Sequence, residues 1–296
     1  MTPYAAVIVG GLVDAAVLAV AAVGFSLQFS VTNYVNFAYG QLITLGAFMA
    51  FVVDAHLKVG IWVSFLVAGV AVALLAYVMG QWVYAPFYRR RPQVLYILVV
   101  SFAVALVLSS VYLIIWQSNT YELQYFSNTA VYRTGPFIWA ADELVDIGGA
   151  ALILVLLYLG LRFTKLGKSM RAVADNQSLA AVAGLNSRRI VGYAWLISGF
   201  LAGLAGVVEA DLLHAFDVTL GSTFLFLMIT AVLVAGIGRP YAAVIGALLI
   251  AFAGQISVYV IGAAYAPVGA FATLLVILLV RPQGILGGGR TTLHNA

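Results

Sequence analysis

Nine apolar runs punctuate the chain, at 5–29, 36–53, 61–84, 94–117, 144–161, 190–211, 223–238, 241–261 and 266–280. Most approach the roughly 20 apolar residues that a membrane-crossing helix needs. The runs at 223–238 and 266–280 are short for a full crossing, and Gly236, Gly238 and Pro240 interrupt this stretch. Half-helices or a re-entrant pair fit such a pattern; membranes tolerate them only where they are buried in protein or line a cavity. The pattern predicts an all-α, polytopic transmembrane helical bundle of about eight to ten spans with broken or re-entrant helices. It forms a single transmembrane domain over 1–296.

Composition narrows the class. Of 296 residues, 64% are apolar and 8% charged, whereas soluble domains run at about 45–50% and about 25%. A soluble fold of this size has no way to hide that surplus, and disorder demands the opposite balance. The absence of cysteine excludes disulfides, thiol catalysis and cysteine-held zinc or iron–sulfur centres. His56, His214 and His294 are far apart and form no ligand pair at helical spacing. No Ser–His–acid set and no HExxH is present, and Glu209 and Asp211, two apart, point to different helix faces. Neither catalytic residues nor a metal site are expected. The start Met1-Thr2-Pro3-Tyr4 lacks the basic region of a cleaved signal, so the first apolar run is expected to remain as a span.

Charge orients the spans. With nine of them, twelve of the fourteen Lys and Arg fall on one side, leaving Lys58 and Arg133 on the other. Asp54, Glu122, Asp142, Glu143 and Asp217 lie opposite the basic loops. The positive-inside rule puts Arg89–Arg91, the 162–189 loop, Arg239 and the C-terminus in the cytoplasm, with the N-terminus outside. The net charge of +4 reports those loops, not nucleic-acid binding.

Two loops are long. The outer one, 118–143, carries Asn119, Tyr121, Glu122, Tyr125, Asn128, Tyr132 and Trp139. It reads as a packed surface loop with aromatic residues at the membrane interface, or as a docking surface for an external partner. The inner one, 162–189, is the largest polar stretch, yet Met170, Val173, Leu179 and Val182 recur at mostly helical spacing. Ser178 as N-cap and Gly184 as C′ residue predict two short helices broken near Asp175-Asn176-Gln177. Gly167-Lys168-Ser169 copies the end of a phosphate-binding loop, but Arg162 stands where that motif needs glycine and no strand precedes it, so nucleotide binding by this chain is rejected. A basic hairpin here serves either as a connector touching anionic lipid headgroups or as a coupling element that enters a partner's cleft.

The stretch Thr164-Lys165-Leu166-Gly167-Lys168-Ser169-Met170-Arg171-Ala172-Val173-Ala174-Asp175-Asn176 resembles the cytoplasmic loop of permeases in the branched-chain (hydrophobic) amino acid ABC importer family. Leu179-Ala180, followed by Gly184, is similar to a degenerate form of the motif by which importer permeases engage their ATPases. The likeness extends to Gly11-Leu12, Ala19, Ala22 and Gly24, to Asn36-Phe37-Ala38-Tyr39-Gly40 and Leu45-Gly46-Ala47, to 198–206, and to Arg281-Pro282-Gln283-Gly284-Ile285-Leu286-Gly287. The resemblance implies an ABC-importer permease fold in a bacterial inner membrane. It also implies a paralogous permease partner, two cytoplasmic ATPases that carry ATP and Mg, and an external substrate-binding protein. This chain would bind no cofactor itself. Thr164, Gly167, Lys168, Met170, Arg171, Asp175, Asn176, Ala180 and Gly184 would form the ATPase-coupling loop. The chain departs from the family at Tyr39 and Gly40-Gln41, where His and an acid are frequent, at Gln255, where Glu is, and at Asp14 and Leu18, where an apolar residue and Tyr are. These departures leave the substrate open.

Asp14 lies about ten residues into the first run, about 15 Å deep as a helix. It marks a partner, a cavity or function, unless the span starts later and leaves it at the interface. Asn33 reads as a cap; Asn36, Phe37, Tyr39, Gly40 and Gln41 read, mainly through the resemblance, as a helix break lining the translocation pathway with Asp14 and Gln255. Gly199, Gly203 and Gly206 let helices pack closely. A route with few fixed charges suits a zwitterion with an apolar side chain or a neutral amide. The expected function is translocation of branched-chain or related hydrophobic amino acids by alternating access. Alternatives are a relative handling urea, short-chain amides or aromatic acids, and, further off, an ion-coupled secondary transporter.

Overall fold

The computed structural model describes residues 3–57, 61–89, 94–123, 130–135 and 137–286. Lys58, Arg90, Arg91, Tyr125, Asn128, Gly287, Arg290 and His294, used in the sequence reading, lie outside the described residues. In chain order the helices are α1 (Pro3–Thr32), α2 (Tyr39–Leu57), α3 (Ile61–Val78), α4 (Ala85–Arg89), α5 (Val94–Trp116), α6 (Ala141–Phe163), α7 (Lys165–Asp175), α8 (Gln177–Val182), α9 (Ser187–Leu213), α10 (Leu220–Ala235), α11 (Pro240–Val260) and α12 (Ala266–Val280). A π-helical turn, Met79–Tyr84, joins α3 to α4. A two-stranded antiparallel hairpin, β1 (Val131–Thr134) and β2 (Phe137–Ala140), precedes α6, with Tyr132 opposite Trp139.

Seven helical stretches among the described residues are long and apolar enough to cross a membrane, and two shorter apolar helices begin at Tyr39 and Leu220. Of the two short runs, 223–238 corresponds to the short α10. The run 266–280 does not stay short, because the 3₁₀ turn Ala263–Tyr265 extends α12 to crossing length. The run 36–53, which looked complete, also begins late: α2 starts at Tyr39. Tyr39 donates its hydroxyl to the carbonyls of Ala21 (3.3 Å) and Ser198 (3.1 Å). Each carbonyl lies eleven residues inside its helix, counted from Thr32 of α1 and Ser187 of α9. At 1.5 Å per residue that is about 16 Å, near the middle of a hydrocarbon core about 30 Å thick. So α2 begins at mid-membrane.

The α9–α10 unit repeats the α1–α2 unit at an offset of 181 residues. Asn33 (φ +58°) ends α1 and His214 (φ +56°) ends α9, both in the left-handed region. Three residues on, Asn36 Oδ1 accepts from the Ala38 amide (3.1 Å) and Asp217 Oδ1 accepts from the Thr219 amide (2.8 Å). Each Asx turn leads into a short helix that begins three residues after its Asn or Asp, at Tyr39 and Leu220. The two units run in opposite directions, because the end of α1 and the start of α9 lie on the same face of the bundle. There Leu27 and Val31 of α1 cluster with Ile190 and Ala194 of α9.

Small residues bring the crossing helices together. A Cβ on Gly199 would meet Ala76 of α3, one on Gly203 would lie 2.8 Å from the Ala68 carbonyl, and one on Gly206 would meet the Ile43 carbonyl of α2. At this depth lipid tails are as apolar as the side chains, so close backbone approach supplies much of the helix–helix attraction.

Candidate translocation and coupling sites

The short helices α2 and α10 meet at their N-termini. A Cβ on either Gly40 or Gly221 would strike the other's carbonyl. Thr44 Oγ1 accepts from the Gly221 amide (3.0 Å), and Gln41 Nε2 donates to Ser222 Oγ (2.8 Å). Tyr84 donates to Asn36 Oδ1 (2.9 Å), and Tyr112 donates to the Gln41 carbonyl (3.0 Å). Asn36 therefore forms the Asx turn that leads into α2, while Asn33, expected to cap, terminates the preceding helix. Asn36, Tyr39 and Gln41 are buried and Phe37 is half-buried, edge-on to Phe102. Asn36 Nδ2 and Gln41 Oε1 have no hydrogen-bond partner among the described residues. A buried polar atom without a partner is expensive, which marks this junction as a place with unspent hydrogen-bonding capacity.

Asp14 and Gln255 lie apart from this junction. Gln255 Nε2 donates to Asp14 Oδ2 (2.6 Å), tying α1 to α11, with Gly10 giving the amide room. Asp14 is exposed on the bundle surface. Gln255 is five residues from the end of α11, so the pair sits in the outer half of the bundle, nearer the interface than the length of α1 alone implies. Glu209 of α9, half-buried, lies within electrostatic reach of Asp14. Asp211 points elsewhere, towards Asp142 and Asp54, as its two-residue offset from Glu209 requires. Asp146 is buried beside Asp211 with neither carboxylate oxygen partnered, so Asp14 is not the only acid within the crossing helices.

The 162–189 loop is a helical hairpin. Thr164 Oγ1 caps α7 through the Gly167 amide (3.1 Å). Asn176, not Ser178, caps α8: its backbone is extended and its Oδ1 accepts from the Leu179 amide (2.9 Å). Gly184 (φ +84°) closes α8, and the Leu185 amide returns to the Ala180 carbonyl at 3.0 Å, the Schellman arrangement. Gly167 is required by packing, since a Cβ there would strike the Leu161 carbonyl; the Gly-Lys-Ser sequence lies inside a helix preceded by another helix. Met170, Val173 and Ala180 pack with Leu161 on Leu27, Val31, Ile190 and Ala194. Arg171 donates to the Leu161 carbonyl. Lys165, Lys168, Asp175 and Asn176 face outward. So do two apolar side chains, Leu179 at 67% and Val182 at 87% exposure, although they share the helical spacing of the buried Met170 and Val173. The turn Gly236–Pro240 and the terminal segment lie beside this hairpin, where Ile285 and Leu286 amides bond the Val234 (2.8 Å) and Ala235 (3.2 Å) carbonyls.

A family model described as branched-chain amino acid transport system / permease component matches residues 7–280. The chain belongs to this permease family. It is 25% identical over 279 residues to the high-affinity branched-chain amino acid transport system permease protein LivH of Escherichia coli (strain K12), with 91% of each chain covered. It is 25% identical over 300 residues to the corresponding BraD protein of Pseudomonas aeruginosa, with 96% of each covered. Among solved structures, PsaBC from Streptococcus pneumoniae in complex with Fab aligns over 94% of this chain and 92% of that one, at 13% identity and a TM-score of 0.49.

As a member of the permease family, the chain is a multi-pass membrane transport subunit. The family match spans both halves of the 181-residue repeat, the Asp14–Gln255 pair and the hairpin. Three features escaped the sequence reading: the Gly221–Ser222 side of the junction, the outward Leu179 and Val182, and Glu209 beside Asp14. The junction left one trace, Asn-x-x-Asn-x-x-x-Gly at 33–40 matched by His-x-x-Asp-x-x-x-Gly at 214–221.

Proposed function

We propose that this chain is the substrate-translocating permease of an ATP-binding-cassette importer for branched-chain or related hydrophobic amino acids, in a bacterial inner membrane. The observation that carries the coupling role is the pair Leu179 and Val182. They stand exposed on a basic hairpin at one face of the bundle, and exposed apolar side chains of this kind suit a contact with a partner. An apolar pair on a hairpin that also exposes Lys165 and Lys168 fits a cleft on a partner ATPase. The bias of Lys and Arg towards the hairpin's loops in the nine-span reading, twelve of fourteen, supports a cytoplasmic position for that face and the C-terminus.

In this reading two ATPases hold ATP and Mg and close around hairpins from this chain and a paralogous permease, and an external binding protein delivers substrate. The hairpin grips α1 at Leu27 and Val31 and α9 at Ile190 and Ala194. Both helices run directly to the α2–α10 junction, so movement of the hairpin is transmitted to Asn36–Gln41 and Ser222 and alternates access there. Asp14 and Gln255 form the outer approach. The test is reconstitution of the chain with its partner permease, ATPases and binding protein in proteoliposomes. ATP-dependent uptake of leucine, isoleucine or valine is expected; uptake by this chain alone on an ion gradient would overturn the assignment.

A further inference from the structure

A cavity of about 160 Å³ lies at the hairpin face, between the coupling hairpin, which contributes Gln177, and the junction, to which Tyr84 is bonded through Asn36. Its walls come from four parts of the chain: the α1–α2 link (Thr32, Tyr34), the π-helical turn (Gly80, Tyr84), the first residue of α8 (Gln177) and the start of α9 (Arg188, Val191, Trp195). The floor is aromatic. Tyr34 stacks on Tyr84 with centroids 5.7 Å apart, and Tyr84 lies 4.9 Å from Trp195. Trp195 reaches this position because residue 80 is glycine; a Cβ there would fall 2.6 Å from the indole. The π-helical turn shifts Tyr84 relative to a continuous α-helix, and such turns recur at functional sites.

One charge faces this space. Arg188 is held at the rim by Gln81, whose Oε1 accepts from Arg188 Nε (2.9 Å) and whose Nε2 donates to the Arg188 carbonyl (3.3 Å). That pair orients the guanidinium and uses one of its five N–H groups, leaving a fork of donors. Among the described residues no acid lines the cavity. A fixed guanidinium over an aromatic floor matches a carboxylate on a short apolar body, with the carboxylate held bidentately.

We propose that this cavity binds a small hydrophobic carboxylate, a hydrophobic amino acid or its 2-oxo counterpart, from the hairpin side, and that its occupancy restrains coupling. A ligand seated here bridges α8, α9, the π turn and the link to α2. It therefore favours the one arrangement in which all four wall the cavity. The coupling consequence rests on the proposed importer role; the binding does not. The chemistry that fits the site could also come from an anionic lipid headgroup with its acyl chain, and the experiment separates the two.

The test uses the purified complete transporter in nanodiscs, without binding protein, titrated with radiolabelled leucine and 4-methyl-2-oxopentanoate. Saturable binding is expected in both phosphatidylcholine and phosphatidylglycerol discs. Arg188→Gln and the cavity-filling Val191→Phe should each weaken it by about tenfold or more, with Arg188→Lys between. Preloading proteoliposomes with the same ligand should slow ATP-driven uptake in the native protein and not in Arg188→Gln. Isotherms unchanged by both variants would overturn the site. Loss of binding in phosphatidylglycerol alone would assign the cavity to lipid and overturn the carboxylate ligand. Preloading that slows both proteins equally would overturn the restraint. Failure of native uptake with the binding isotherm intact would instead count against the importer reading.

Discussion

Gln41 and Ser222, 181 residues apart in the chain, share a 2.8 Å hydrogen bond where the N-termini of α2 and α10 meet at mid-membrane. Each follows a glycine whose missing side chain lets the two helix ends touch. The repeat explains why: the same left-handed residue, Asx turn and glycine recur in each half, so the two short helices are placed by the same local chemistry and brought face to face by opposite orientation. Helix N-termini carry partial positive charge, and two of them meeting in a low-dielectric region favour acceptors nearby. Gln41 Oε1 and Thr44 Oγ1 supply them.

The glycine contact should be intolerant of any side chain. A Cβ on Gly221 meets the Gly40 carbonyl and lies 2.5 Å from Thr44 Oγ1, both backbone or short side-chain atoms that have little freedom to yield. Gly221→Val should destabilise the purified protein by about 1–3 kcal/mol, the usual cost of overpacking. Gly148→Val on α6, where nothing lies within 4 Å, should change stability by about 0.5 kcal/mol or less. Unfolding midpoints of the two variants side by side test the junction, and equal losses would refute it.

The Gln41–Ser222 bond itself calls for a double-mutant cycle. Gln41→Ala, Ser222→Ala and the double variant should give a coupling of about 0.6 kcal/mol, and no more than about 1.7, as for other bonds between membrane helices. A coupling of zero would mean that the bond contributes nothing in the membrane.

How far the fold was legible depends on what hydropathy records. Full crossings such as α5 and α9 announce themselves because lipid demands an apolar surface along their whole length. The start of α2 at Tyr39 is less sharp in hydropathy, since Phe37 and Ala38 in its non-helical approach count towards the apolar run 36–53. The break near Asn36 is legible in its polar residues and the family resemblance, and the left-handed Asn33 and the Asx turn at Asn36 give its geometry. The hairpin was legible because Gly184 is a local stop signal and the polar run Asp175-Asn176-Gln177 a break, although the cap of α8 is Asn176 and not Ser178, which backbone angles decide. Asp14 and Gln255 were each noted, and their contact was not, because no local rule links residues 241 positions apart.

Leu179 and Val182 carry the coupling prediction better than the charged residues around them. Arg171 is engaged with the Leu161 carbonyl, so replacing it disturbs the hairpin's own anchoring. Leu179→Asp with Val182→Asp leaves the hairpin core of Met170, Val173 and Ala180 untouched. Uptake should fall by about tenfold or more, the effect expected on losing apolar anchors in an interface pocket, while expression and unfolding midpoint stay near native. Proteoliposome uptake and ATPase stimulation measured together check this, and normal coupling in the double variant would remove the hairpin tip from the interface.

The terminal segment should matter to the same face. Gly284 (φ +80°) turns the chain so that Ile285 and Leu286 cap the carbonyl end of α10, and a Cβ there would lie 2.6 Å from the Gly236 amide nitrogen. Gly284→Val combines left-handed strain of about 1–2 kcal/mol with that clash. A lowered unfolding midpoint with slower ATP-driven uptake is expected; wild-type stability would show that the terminal segment is not bound as described.

Asp14 separates structure from function most sharply. A carboxylate in the membrane-spanning part of a helix costs about 2.5–3.5 kcal/mol at the bilayer centre and less towards the interface. If its only role were to staple α1 to α11 through Gln255, Asp14→Leu would lose the bond yet gain apolar compatibility, leaving stability level or higher and uptake unchanged. A residue lining the outer approach predicts something different: stability level or higher, with uptake lost, the trade-off seen where function retains an unfavourable group. Because the chain has no cysteine, Asp14→Cys also gives a single reporter. Modification by a membrane-impermeant thiol reagent from the outer side, slowed by transported substrate, is the expected result. A thiol inert to that reagent, in a variant with native uptake, would place Asp14 off the route.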